Sequence, residues 1–313
     1  MTDPPKCFAG VDWASERHQL CILDGSGKVL GERSVEHSGQ GLAELCSWFL
    51  AKGQSEPAGT AVAIETCHGP IVEVLLERGF QVFSINPKQL DRFRDRFTVA
   101  GAKDDRLDAR VLADSLRTDR TCFRRLAPDE PLVIELREWS RMAEDLQQER
   151  NRLANRLRQQ LWRYYPQMLA LGEDTDAAWR LALWQFAPTP ERARRLRRGS
   201  VEALLKRHRI RRLDADAVLE RLRQPALELA PGTAEAACAH VRQILPRLRL
   251  VQRQLAEALA RLDTICSALA GEDAGPGQAG EQHDVTILRS LPGVGRIVLA
   301  TLLAEAGDAL RRR

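Results

Sequence analysis

The sequence predicts an α/β domain with a mixed sheet, followed by a mostly α-helical remainder. Three observations predict it. Strand-length apolar blocks, punctuated by turn residues, recur through the first third of the chain. From Ile134 onward apolar residues return at three-four spacing, which is the period of a helix. In the first third, three meandering strands precede an alternation of helices and strands, an order that suits a mixed sheet.

Cys7-Phe8-Ala9-Gly10-Val11 is a buried strand. His18 to Leu23 alternates before the turn Asp24-Gly25-Ser26-Gly27, and Lys28 to Val35 returns as a third strand. Residues 39–52 form a helix with Leu42, Leu45, Trp48 and Phe49 on one face. Ala58 to Glu65 is a short apolar strand and Pro70 to Arg78 a helix. Phe80 to Ile85 is a strand halted at Asn86-Pro87, where proline restricts its predecessor. Asp104 to Arg117 is the remaining helix. Gly25-x-Gly27 is a hairpin turn, because no helix follows that would make it a phosphate cradle.

Leu136, Trp139, Ala143, Leu146, Leu153 and Leu157 form a coiled-coil-like seam on a long helix. Val241, Leu245, Leu248, Leu255, Leu259 and Leu262 form a second. Between them lies an arginine-rich helical stretch, residues 190–225, bracketed by Pro188, Pro190 and Pro225. Gly271 to Gly280 reads as a linker. Val285 to Asp308 carries Leu291-Pro292-Gly293-Val294-Gly295 between two apolar helical stretches. The expected divisions are residues 1–125, 130–270 and 281–313. Trp139, Trp162, Trp179 and Trp184 are expected in helix cores rather than on a base-stacking platform.

No apolar run approaches the roughly 20 residues of a membrane span, and Met1 to Lys6 shows no signal-peptide pattern. The seven cysteines are scattered and never spaced C-x-x-C, as for reduced cytosolic thiols rather than a disulfide frame or zinc site. A cytoplasmic, nucleoid-associated protein is expected. The net charge of +4 hides an asymmetry. Residues 1–120 carry 15 basic and 18 acidic side chains, whereas residues 121–270 carry 27 and 19. Nearly all the bases of that middle region are arginine, whose fork matches phosphate oxygens. Charge alone does not separate a polyanionic partner from a solvated helix surface.

Four acids stand out by position. Asp12 ends the first strand and Glu65 the fourth, while Asp105 and Asp108 sit three apart near a helix start and project from one face. Taken singly, each has a plainer explanation as a turn cap, a helix cap or a partner of Arg106 or Arg110. Jointly they do not. Two like charges about 4 Å apart repel by roughly 4 kcal/mol at an effective dielectric near 20. Gathering four calls for a compensating charge, and a hard divalent ion with oxygen ligands supplies it.

With these residues in view, the chain resembles the DEDD insertion-sequence transposases of the group called IS one-ten, relatives of the Piv/MooV DNA invertases. The matching residues are Gly10-Val11-Asp12-Trp13-Ala14, Ile64-Glu65-Thr66 with Gly69, Asn86-Pro87, and Lys103-x-Asp105-x-x-Asp108-Ala109. The Trp139–Tyr165 and Leu288–Asp308 stretches also look like their counterparts. The resemblance implies a ribonuclease H-like, Holliday-junction-resolvase-like N-terminal domain. It implies Asp12, Glu65, Asp105 and Asp108 as the catalytic, metal-binding tetrad, with Mg²⁺ or Mn²⁺ as the cofactor. Asp104 is set aside because Asp105 keeps the i, i+3 relation to Asp108.

The family moves or inverts DNA segments by site-specific cleavage and rejoining. The resemblance therefore implies DNA as substrate, a structured element-encoded guide RNA as partner, and a homo-oligomer, dimer or tetramer, for strand exchange. It also implies a serine nucleophile in a C-terminal domain. Neither Ser267 nor Ser290 lies where that serine belongs, so residues 281–313 are expected to be the truncated start of that domain. Leu291 to Gly295 resembles a helix-hairpin-helix turn, which makes Arg289, Gly293, Gly295 and Arg296 candidate nucleic-acid contacts. The plainer alternative is a tight turn that needs glycine.

Competing assignments are a junction-resolving nuclease and a truncated, non-catalytic nucleic-acid-binding scaffold. A sugar-kinase or actin-like ATPase also opens on a Gly-x-Asp strand, but it needs further glycine-rich phosphate loops that this sequence lacks. Cys67-His68, beside Glu65, has no partner at ligand spacing.

Overall fold

Three antiparallel strands, Cys7–Asp12 (β1), Arg17–Asp24 (β2) and Val29–Glu36 (β3), open the chain as a meander. In the computed structural model, which describes residues 4–94, 105–272 and 284–310, they form part of a six-stranded sheet. Helix Gly39–Gly53 (α1) follows, its N-terminus capped by Ser38 Oγ, which accepts the Gly41 N–H at 3.0 Å. Next come strand Thr60–Ile64 (β4), helix Pro70–Glu77 (α2), strand Gln81–Ser84 (β5), helices Pro87–Arg94 (α3) and Asp105–Thr118 (α4), and the two-residue strand Arg124–Arg125 (β6). The sheet order is β3-β2-β1-β4-β5-β6, with β1, β4 and β5 parallel and β6 antiparallel to β5. Strand parity divides the core. Ala9, Val11, Val62, Ile64 and Val82 pack beneath α1 and α2, while Phe8, Ala61, Ala63 and Phe83 pack beneath α3 and α4.

The sequence does not predict α3 or β6; the other strands and helices of this unit fall within a few residues of expectation. The helix expected from Asp104 begins, in the described residues, at Asp105.

The chain divides into two compact units, Met1–Asp129 and Glu130–Arg313. In the second, helix Pro131–Tyr164 (α5) is followed by the shorter helices Ala178–Phe186 (α6), Pro190–Arg194 (α7), Arg198–Arg207 (α8) and Ala215–Leu222 (α9). A 40-residue helix, Thr233–Glu272 (α10), comes next, then Asp284–Ser290 (α11) and Arg296–Leu310 (α12). Helices α5 and α10 run antiparallel. Leu136 and Ala143 share a core with Leu255 to Leu269 and with α11 and α12, whereas Leu153, Leu157 and Leu161 share another with Ala237 to Val251 and with α6 to α9. The ion pair Arg261–Glu135 ties one end of this helix pair.

The expected linker begins later than the sequence implies, because α10 runs to Glu272; the rest of it lies outside the described residues. Trp179 and Trp184 are buried and Trp139 half-buried, as expected. Trp162 is not: it is 69% exposed on the outer side of α5, in an open cleft with Arg158 and Arg163. No described helix is long and apolar enough to cross a membrane.

Candidate metal centre

Asp12 and Glu65 belong to neighbouring parallel strand ends. Val11 pairs with Ile64, so each acid stands one residue beyond that pair, at the carboxyl edge of the sheet. Ligands of open α/β sheets favour that edge. Strand alternation turns Asp12, like Phe8 and Gly10, toward the face that α4 covers. Gly10 makes the approach close. A Cβ there would lie 1.9 Å from the Ala109 carbonyl oxygen and 2.7 Å from the Ala113 nitrogen, so only glycine lets α4 settle on β1.

That contact brings the first turns of α4 to the end of β1. One carboxylate oxygen each from Asp12, Asp105 and Asp108 lie within 4.8 Å of one another. Asp108 is buried, Asp12 half-buried and Asp105 exposed. Acids in a first helical turn gain from the helix dipole, and Asp12 reaches the same helix end from another element. The donor set is all carboxylate. Oxygens on opposite sides of one hard divalent ion, at roughly 2.0–2.6 Å from it, stand about 4–5 Å apart, so the three fit a single ion.

Glu65 stands outside this tight group. Its Oε1 lies 3.6 Å from Nη2 of Arg94, the last residue of α3. The same guanidinium donates from Nε to Asp108 Oδ1 at 2.6 Å and from Nη2 to Asp108 Oδ2 at 2.8 Å, while Nη1 reaches Asp91 at 2.7 Å. Burial works against the Arg94 charge. The hydrogen bonds and charge of Asp108, with Glu65 and Asp91 behind them, outweigh it and hold the guanidinium above its ordinary value. Sequence reasoning missed Arg94, because in a chain with 47 basic residues one more at a helix end carries no signal.

Cys67 and His68 touch each other, Sγ to Nδ1 at 3.3 Å, and both are exposed. Among the described residues they join no metal-holding group.

The other predicted contacts lie in the turn between α11 and α12. Gly293 adopts φ +86°, a left-handed conformation that favours glycine, and Arg289, Gly293, Gly295 and Arg296 are all exposed. Arg296 also pairs with Asp263 of α10 at 3.3 Å. Elsewhere on the helical unit, a cleft of about 540 Å³ is lined by Trp184, Gln185, Arg192, Arg242 and Arg249. Arg249 also lines a second cleft, of about 550 Å³, with Phe186, Arg207 and His208.

The family model of the DEDD transposases of IS110 type, described as "Transposase", matches residues 9–166. "Putative transposase y4uE" of Sinorhizobium fredii is 60% identical over 216 residues, which are 69% of this chain and 60% of that protein. "Mini-circle putative transposase for IS117" of Streptomyces coelicolor is 34% identical across 96% of this chain and 71% of its own length. A 43.6 kDa protein of insertion element IS110, from the same species, is 25% identical over 98% and 72%. The match with the first of these thus spans less than two thirds of that relative's length. The family model covers half of the chain and the IS117 protein aligns along nearly all of it: the chain belongs to the DEDD transposases of insertion sequences.

Proposed function

We propose that this chain is a metal-dependent transposase or site-specific recombinase, which cleaves and rejoins DNA at the ends of an insertion element. One observation carries the proposal: Asp12 from a strand end meets Asp105 and Asp108 from a helix far along the chain. The sheet order, three antiparallel strands and then two parallel ones, supports a ribonuclease H-like frame for it. Asp12, Asp105 and Asp108 would hold Mg²⁺ or Mn²⁺, with Glu65 completing the tetrad. A bound divalent ion supplies activation of the attacking group and stabilisation of the leaving oxygen in phosphodiester chemistry. Buried Asp108 anchors the site, and exposed Asp105 opens it to a DNA backbone.

The helical unit is proposed to hold the nucleic acid. The α11–α12 turn presents Gly293, Gly295 and Arg296 as a helix-hairpin-helix does, and suits sequence-independent phosphate contact. The arginine-lined clefts suit a structured RNA, and the long α5–α10 pair suits a homo-oligomeric synapse. Calorimetric titration of Mn²⁺ tests the centre. Binding should be lost in Asp12→Ala and weakened in Glu65→Ala. Binding indifferent to both changes would leave only a nucleic-acid scaffold.

A further inference from the structure

We propose that Arg94 is the resident counter-cation of this centre, and that metal loading is an exchange in which the divalent ion displaces the guanidinium from Asp108. The inference rests on the metal assignment of Asp12, Asp105 and Asp108, and extends it to a positioning residue on α3. Three observations carry it. The fork of Arg94 spans both oxygens of Asp108, at 2.6 and 2.8 Å, and so covers whichever oxygen Asp108 would offer an ion. Asp108 is 2% exposed, and a carboxylate so buried needs a positive partner at all times. The same guanidinium lies 3.6 Å from Glu65, the acid that stands apart from the other three. One group thus engages both a strand-edge acid and a helix acid, and a cation arriving between them meets a like charge already in place.

The exchange has a direction. Before loading, Arg94 holds Asp108 and Glu65 in position through these contacts. On loading, Arg94 would give up Asp108 and fall back on Asp91, which it already contacts at 2.7 Å on the exposed side of α3. Its contact with Glu65 would loosen at the same moment. The guanidinium and the ion compete, so the site favours metal only where its concentration is high enough to win. A site without Arg94 binds more tightly and holds together less well when empty.

The experiment is Mn²⁺ calorimetry, with thermal unfolding, on the full chain and on Arg94→Gln, Arg94→Lys and Asp105→Asn. Arg94→Gln is expected to bind Mn²⁺ on the order of tenfold more tightly than the parent. Without metal it is expected to melt lower by about 4 °C or more, and saturating Mn²⁺ should close that gap. Arg94→Lys keeps a charge but loses the fork, and should fall between; it decides the matter if the glutamine variant does not fold. Equal or weaker Mn²⁺ affinity in the Arg94 variants would overturn the exchange and leave the metal assignment standing. Asp105→Asn touches no Arg94 contact, so binding that ignores it, or no binding by any variant, would overturn the assignment itself and the exchange with it.

Discussion

Each unit of the molecule holds an arginine against its own groups, Arg94 half-buried and Arg180 buried, and the two are held in opposite ways. In the α/β unit Arg94 faces carboxylates, so its charge is repaid by Asp108, Glu65 and Asp91. In the helical unit Arg180 is 2% exposed and donates to main-chain carbonyls, Gly172 O at 2.8 Å and Met168 O. Burial pushes it down to about 10, with the charge of Asp174 working the other way. Dipoles of the chain itself cannot be traded for another ligand, whereas carboxylates can. On the proposed exchange the first arginine is replaceable by a ligand, whereas the second ties the loop after α5 to α6. The same contrast runs through the charge of the two regions, with clustered acids in one and dispersed arginine in the other.

The largest effect that would break this contrast is expected at Gly10. Gly10→Ala places a methyl group against the backbone of α4, which no rotamer change relieves, so a loss of about 3 kcal/mol or more is expected in urea unfolding. Mn²⁺ binding should fall with it, since the contact sets the distance from Asp12 to Asp105 and Asp108. An alanine variant as stable as the parent would show that α4 is not seated on β1. Next in size is Arg180→Met. It keeps most of the volume but removes the donor that the Met168 and half-buried Gly172 carbonyls share, and should cost about 2 kcal/mol with no change in Mn²⁺ affinity.

A smaller effect separates the units by pH. His18 is buried, accepts the Ala14 N–H at 3.3 Å and meets His37 at 3.0 Å. Burial, and then the His37 charge, lower its proton affinity below the usual histidine value. The unfolded chain therefore binds the extra proton first. His18 contributes stability that is present above about pH 6.5 and lost as pH falls below it, with a slope no steeper than about 1.4 kcal/mol per pH unit. His18→Gln should flatten that slope in denaturation curves, and an unchanged slope would discard the assignment. The smallest signal is kinetic. Cys67 and Cys122, both in the α/β unit, are exposed, whereas Cys238 and Cys266 are buried, so disulfide reagents should modify the first pair quickly and the second only on unfolding.

What the sequence discloses follows the same physics. Strands β1 and β4 are legible because they are apolar along most of their length, and β2 because it alternates into an apolar run before its turn. The grouping of Asp12, Asp105 and Asp108 is suggested by their places at element ends. Helix α3 is hidden, since Pro87–Arg94 buries only Leu90 and Phe93, too few to establish a period. With α3 unseen, neither Arg94 nor its hold on Glu65 was visible. Strand β6 takes its place from pairing with Phe83 and Ser84, not from its own composition. Trp162 misleads because bulk alone argues for a core position that the outer side of α5 does not offer.

The shared core of α5, α10, α11 and α12 has a practical consequence for dissecting the molecule. Arg137, about two turns into α5, donates to the carbonyl of Ala304 at 2.8 Å, and Leu136 shares its core with residues of α11 and α12. A polypeptide cut just after α10 would strip that cover and present Leu136, Ala143, Leu262 and Ile265 to solvent as a greasy seam. Such a fragment should self-associate on purification, and its clumping would say nothing about the oligomeric state of the whole chain.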